Sequence, residues 1–84
     1  MKVFFTASAR KSLRRLPADR RRQIVSRIET VAAAPGQTGD VQRLAGSDLY
    51  RLRVGDYRVL FAVDTANQIL TVELVRTRGD VYKR

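Results

Sequence analysis

Apolar and polar residues alternate on both sides of Gly55-Asp56 in the segment Tyr50-Arg51-Leu52-Arg53-Val54-Gly55-Asp56-Tyr57-Arg58-Val59-Leu60-Phe61. Alternation flanking a two-residue Gly-Asp turn is the short-range signature of a β-hairpin. With Gly55 and Asp56 as the loop, Val54 lies opposite Tyr57 and Arg53 opposite Arg58. Arg51 follows two residues along on the same face. Three guanidiniums then share one patch, although like charges directly opposite destabilise a sheet. A fold that tolerates this arrangement is expected to hold an anion there, and phosphate matches the planar guanidinium fork.

Composition narrows the chemistry. At 84 residues the chain is expected to form one domain spanning 1–84, with little length beyond a single core. It has no cysteine and no histidine, so disulfides, thiolate metal sites and an imidazole general base are all out of reach. No cofactor or metal is expected. No apolar run has the length of a signal core or a membrane span, and the expected location is the cytoplasm, with no membrane partner. Seventeen Lys and Arg against eight Asp and Glu give a net charge of +9. Nine of the bases and only two of the acids fall within residues 1–35. Such a field is either a solvated basic surface or a lure for polyanions, whether nucleic acid or an acidic protein. Fourteen of the seventeen bases are arginine, which favours phosphate.

The remaining pattern supplies a body for the hairpin. Met1 to Phe5 reads as a first strand, and Thr6 or Ser8 as a helix cap. Ala9, Leu13 and Leu16 recur at helical spacing up to Pro17, which ends one helix and starts another. Ile24, Val25, Ile28, Val31 and Ala32 share one face of that second helix, which Pro35-Gly36 closes. After a loop, Val41 to Leu44 is an extended or irregular approach. Leu49–Val54, Tyr57–Val63 and Gln68–Val75 read as an antiparallel meander, the second turn being Asp64-Thr65-Ala66-Asn67. The fold class is therefore α+β in two layers: an N-terminal strand and a helical hairpin packed on a mainly antiparallel four-stranded sheet, in the order β-α-α-β-β-β, with a short C-terminal tail.

Pairing Val63 with Gln68 sets Phe61 against Leu70, Val59 against Val72 and Tyr57 against Leu74. These residues, with Tyr50, Leu52 and Val54, make the face that the helices cover. The other face carries Arg51, Arg53, Arg58, Leu60, Ala62, Thr71, Glu73 and Val75. Strict alternation then sends Arg76 to the helix side, away from the other arginines. Either a bulge or twist intervenes, or the register is displaced by one. The tail Arg76-Thr77-Arg78-Gly79-Asp80-Val81-Tyr82-Lys83-Arg84 either frays in solvent or folds over the charged face. Asp48, Asp56 and Asp64 sit in turns, where local hydrogen bonding accounts for them, and Phe4, Phe5 and Phe61 divide between core and sheet rim.

The approach Arg-Leu-Ala-Gly, the hairpin Leu-Tyr-Arg-Leu-Arg-Val-Gly-Asp-Tyr-Arg-Val-Leu-Phe and the closing Arg-Thr-Arg-Gly-Asp-Val-Tyr resemble the RelE/ParE superfamily of bacterial toxin–antitoxin toxins. The opening Val-Phe-Phe-Thr-Ala-Ser-Ala-Arg-Lys-Ser-Leu-Arg-Arg-Leu-Pro is similar to the family's first strand and helix. The resemblance implies one of two activities. The RelE branch cleaves messenger RNA in the ribosomal A site, whereas the ParE branch poisons DNA gyrase and has no comparable nuclease site. It also implies a cognate antitoxin, contact with ribosome and message, and contact with operator DNA only through the antitoxin complex.

Carried over by motif, the RelE-type residues are Arg51 and Arg53 as phosphate binders and Arg58, Arg76 and Tyr82 as the catalytic set, with no metal. The implied reaction is attack of a ribose 2′-hydroxyl on the adjacent phosphodiester, giving a 2′,3′-cyclic phosphate and a 5′-hydroxyl. Arg58 would clamp the phosphorane, Arg76 would sit by the leaving oxygen, and Tyr82 would either orient or deprotonate the 2′-hydroxyl or stack on a base. Some relatives have lysine where this chain has Arg51 and Arg53. Arginine scarcely exchanges protons, so the proton acceptor stays open.

Overall fold

The computed structural model describes residues 1–34 and 41–77. Its elements are β1 (Lys2–Phe5), α1 (Ala7–Arg14), α2 (Ala18–Ala33), β2 (Val41–Arg43), β3 (Leu49–Val54), β4 (Tyr57–Asp64) and β5 (Ile69–Thr77). The strands form one five-stranded sheet in the order β1-β5-β4-β3-β2. β1 runs parallel to β5, and every other neighbouring pair is antiparallel. The expected α+β two-layer fold is present. The expected strand count is one too low: Val41–Arg43 pairs with β3, Val41 opposite Leu52 and Arg43 opposite Tyr50, and becomes an edge strand. Three residues are too few for an alternation pattern, so pairing alone makes them a strand.

Helix boundaries follow local chemistry. Thr6 caps α1, its hydroxyl accepting from the Ala9 N–H at 3.1 Å, so Ser8 lies inside the helix. α1 stops at Arg14, two residues short of Leu16, in a turn closed by the Arg15 and Leu16 N–H groups on Ser12 and Leu13 carbonyls. Pro17 opens α2, where its missing N–H is not needed. The Arg21 guanidinium donates back to the Leu13 carbonyl at 3.5 Å and ties the two helices at their joint. Pro35-Gly36, expected to close α2, lies outside the described residues.

The core sits between the helical hairpin and one face of the sheet. Ala9 and Leu13 from α1 and Ile24, Ile28, Val31 and Ala32 from α2 meet Leu52, Val54, Val59, Phe61, Leu70, Val72 and Val75, all buried. Tyr50 stacks on Phe61 with ring centroids 5.5 Å apart, at the rim of this layer. Among the described residues no polar or charged side chain is buried, so cohesion is a matter of apolar packing. No described helix is long and apolar enough to cross a membrane.

The β4–β5 pairing corrects the expected register. Asp64 faces Ile69, Val63 faces Leu70 and Phe61 faces Val72, a displacement of two residues from the sequence reading. The cause is the loop, which spans 65–68 because Gln68 adopts φ +56 and postpones the strand. A second correction lies further along. The ladder jumps between Phe61↔Val72 and Leu60↔Leu74, which leaves Glu73 as the extra residue of a β-bulge. Beyond it Val75, not Leu74, enters the core, and Leu74 moves to the opposite face opposite Leu60. The Thr6 hydroxyl donates to the Glu73 carbonyl at 2.8 Å while the Thr6 N–H donates to the Val72 carbonyl at 3.0 Å. One side chain thus caps α1 and satisfies the backbone of the bulge.

Candidate functional site

The bulge decides what the uncovered face of the sheet presents. By shifting the alternation of β5 it turns Arg76 to the side of Arg58, which it faces directly. Arg58 in turn faces Arg53 across the tight turn, where Gly55 takes φ +57 as the first loop residue of a II′-type turn requires. Arg53, Arg58 and Arg76 therefore form one row across three adjacent strands, with directly opposed residues about 4.5–5.5 Å apart at Cα. Of the two explanations the sequence left open for Arg76, the bulge is the one realised.

Arg51 lies one step along the same face, opposite Leu60. Its guanidinium donates to the Gln42 side-chain oxygen from β2, so the short edge strand orients it. Sequence reasoning missed Gln42, whose strand partner could not be read from a three-residue element. Arg58 is half-buried between its neighbours, while Arg53 and Arg76 are exposed. Among the described residues none of these three is matched by a carboxylate; an ion pair of Arg43 with Asp48 at 3.7 Å lies away from them, at the exposed β2–β3 turn. Glu73, expected on this face, forms no ion pair with these arginines. Tyr82, the expected catalytic phenol, lies outside the described residues.

Neighbouring arginines with no carboxylate partner among the described residues have the chemistry to receive an anion. Half-buried Arg58 at the centre is best placed for a single tetrahedral group, with Arg53 and Arg76 able to bracket it and Arg51 to hold a neighbouring one. The face beside the row is uncharged: Leu60, Leu74, Ala62 and Thr71 floor it, and Phe4 of β1 stands next to Thr71 with 52 % of its surface exposed. Alternation of β1, with Val3 and Phe5 turned to the core, was the available signal that Phe4 faces outward. Of the turn aspartates, Asp64 makes the expected local bonds: its carboxylate accepts from the Asn67 side-chain amide at 2.8 Å and from its backbone N–H at 3.2 Å. These bonds, the side-chain one foremost, hold its pKa below the ordinary value of 3.8.

A helical hairpin packed on one face of a five-stranded sheet is a fold shared with solved RelE toxins. The RelE–RelB complex of Pyrococcus horikoshii superposes with a TM-score of 0.77 at 29% identity, covering 93% of this chain and 94% of that one. The RelBE2 toxin–antitoxin complex of Mycobacterium tuberculosis gives 0.77 at 26%, covering 92% and 96%. A Methanocaldococcus jannaschii protein that bears the name RelE1 is 33% identical over 76 residues, which is 87% of this chain and 84% of that protein. Residues 3–82 match the family described as ParE toxin of type II toxin-antitoxin system, parDE. The chain belongs to this toxin family, within the RelE/ParE superfamily.

Proposed function

We propose that this toxin is a ribosome-dependent endoribonuclease that cleaves messenger RNA in the A site and is held inactive by a cognate antitoxin. The observation that carries the reading is the unbroken row Arg53–Arg58–Arg76 with Arg51 beside it. A gyrase poison acting through its surface has no need of like charges stacked against one another. A phosphodiester passing through a dianionic phosphorane does. Attack of the 2′-hydroxyl oxygen on phosphorus forms the cyclic phosphate and breaks the bond to the 5′ oxygen, which takes a proton from solvent, while the 2′-hydroxyl proton passes to solvent or to Tyr82 in its phenolate form. Arg58 binds the non-bridging oxygens, Arg76 the leaving oxygen, and Arg51 and Arg53 the flanking phosphates. One well-aimed donor contributes on the order of 10²–10³ in rate. Several together supply much of a metal-independent reaction.

The antitoxin finds a second surface on the other layer. Phe5, Leu13 and Val25 floor a groove of about 460 Å3 rimmed by Arg10, Arg14 and Arg21. Apolar side chains flanked by acids, on an amphipathic antitoxin segment, complement it. The solved RelE–RelB complex among the similar structures supports a partner of this kind.

The gyrase reading keeps one specific support: the matching family is described by ParE. Toeprinting on translated messages separates the two. Wild-type chain producing A-site cleavage that Arg58→Ala abolishes is the expected result. Intact messages with trapped cleaved DNA–gyrase complexes would transfer the assignment to gyrase.

A further inference from the structure

On the open face the row Arg58↔Arg76 is followed by Leu60↔Leu74 and then by Ala62↔Thr71, with Phe4 adjoining Thr71 and Lys2 adjoining Ile69 one step beyond. These side chains share one side of the sheet. They make a strip that begins with guanidiniums, continues over an uncharged floor to an aromatic ring, and ends with Lys2 and Asp64 on either side of Ile69. Phe4 is the one large apolar side chain exposed among the described residues. Nothing in the core requires a phenylalanine there, since Val3 and Phe5 supply the inward contacts of β1.

We infer that Phe4 is a positioning residue that stacks on a base of the single-stranded RNA whose scissile phosphate lies at the arginine row; the inference rests on the nuclease reading. Four residues of strand separate the rows, roughly 13 Å along the sheet, with the lateral offset of β1 added. That is within reach of a neighbouring nucleotide of a strand gripped at Arg58. A single strand carries flat, weakly polar bases beside its anionic phosphates, and the strip sets cations, uncharged floor and ring in that succession. Small side chains at Ala62 and Thr71 leave the ring face open from the side of the arginines. Stacking on Phe4 is tolerant of sequence, because every base offers a π-face. An apolar antitoxin residue is the rival occupant, but the guanidiniums at the head of the strip favour a ligand that carries phosphate beside a base.

The full-length chain titrated with a 5′-fluorescein-labelled oligouridylate hexamer carrying a non-cleavable 2′-O-methyl backbone tests this by anisotropy. Phe4→Ala should weaken binding about ten-fold, Phe4→Leu nearly as much, and Phe4→Trp should bind at least as tightly as wild type. The salt dependence of binding should be unchanged in Phe4→Ala and shallower in Arg58→Ala and Arg76→Ala, since only the latter release counterions. In translated-message cleavage, Phe4→Ala should raise the enzyme concentration needed for half-maximal cutting while leaving the saturated rate intact. Equal affinity across the Phe4 series, or affinity retained by Phe4→Leu, overturns the inference and leaves the nuclease reading standing if Arg58→Ala still abolishes cleavage. Loss of antitoxin affinity rather than RNA affinity in Phe4→Ala reassigns the ring to the rival occupant. No RNA binding by wild type, with messages left uncut, removes the nuclease reading itself.

Discussion

Arg58 has a like-charged neighbour on each side, Arg53 and Arg76, and that makes the centre of the site a liability to the fold. Replacing it with glutamine keeps a polar side chain of similar reach and removes the charge from both pairs. Two unit charges about 5 Å apart in water repel by about 0.8 kcal/mol. Guanidiniums splay outward and solvent screens them, so each pair falls within the roughly 0.2–1 kcal/mol found for cross-strand partners. Removing two such repulsions, less a few tenths for lost packing of the arginine stem, should stabilise the fold by about 1 kcal/mol. For a domain of this size that is an upward shift in Tm of about 4–8 °C. Melting followed by circular dichroism at low salt should show it. At 1 M NaCl, where screening reaches about 3 Å, most of the difference should vanish. Arg58→Gln should at the same time lose toxicity. A variant that melts at or below wild type at low salt, or whose gain is the same at high salt, would refute the view that the row is held against electrostatic strain.

Other expectations follow from the bulge and the turns. Thr6→Ala removes a helix cap and the donor to the Glu73 carbonyl, and should cost about 2–3 kcal/mol in urea unfolding, whereas Thr6→Ser should cost less than about 1. Val75→Asp should prevent folding, because it puts an unpaired carboxylate in the core, while Leu74→Asp should fold with near-native ellipticity; the reverse pattern would restore the unbulged register. The lowered pKa of Asp64 means that its bonds to Asn67 add stability above its unfolded value of 3.8 and lose it as pH falls through the folded value. Asp64→Asn should therefore melt below wild type at pH 7, with the gap closing under strong acid.

What could be read from the sequence depended on how local its cause was. The Arg53–Arg58 pairing was legible because a two-residue loop admits one register and Gly55 announces its positive φ. The next loop misled because Gln68 takes a left-handed conformation that its residue type does not signal, which moved the pairing by two. An even displacement preserves faces, so Phe61, Leu70 and Val72 were still assigned to the core. The bulge at Glu73 left only an indirect trace, the conflict in alternation at Arg76. Its stabilising bond comes from Thr6, far away in sequence, and no local pattern encodes that. The strand at Val41–Arg43, and with it the Gln42 contact to Arg51, likewise exists only through pairing.

The central position of β5 governs when this protein becomes dangerous during its own synthesis. It lies between β1 and β4 and brings the third arginine of the row, and it comes last in sequence among the described strands. A nascent or prematurely ended chain lacking Ile69–Thr77 leaves β1 without its neighbour, empties the core of Leu70, Val72 and Val75, and lacks Arg76 from the row. Nonsense changes upstream of Ile69 should therefore disarm the toxin, and the arginine row is incomplete until β5 has been made and paired.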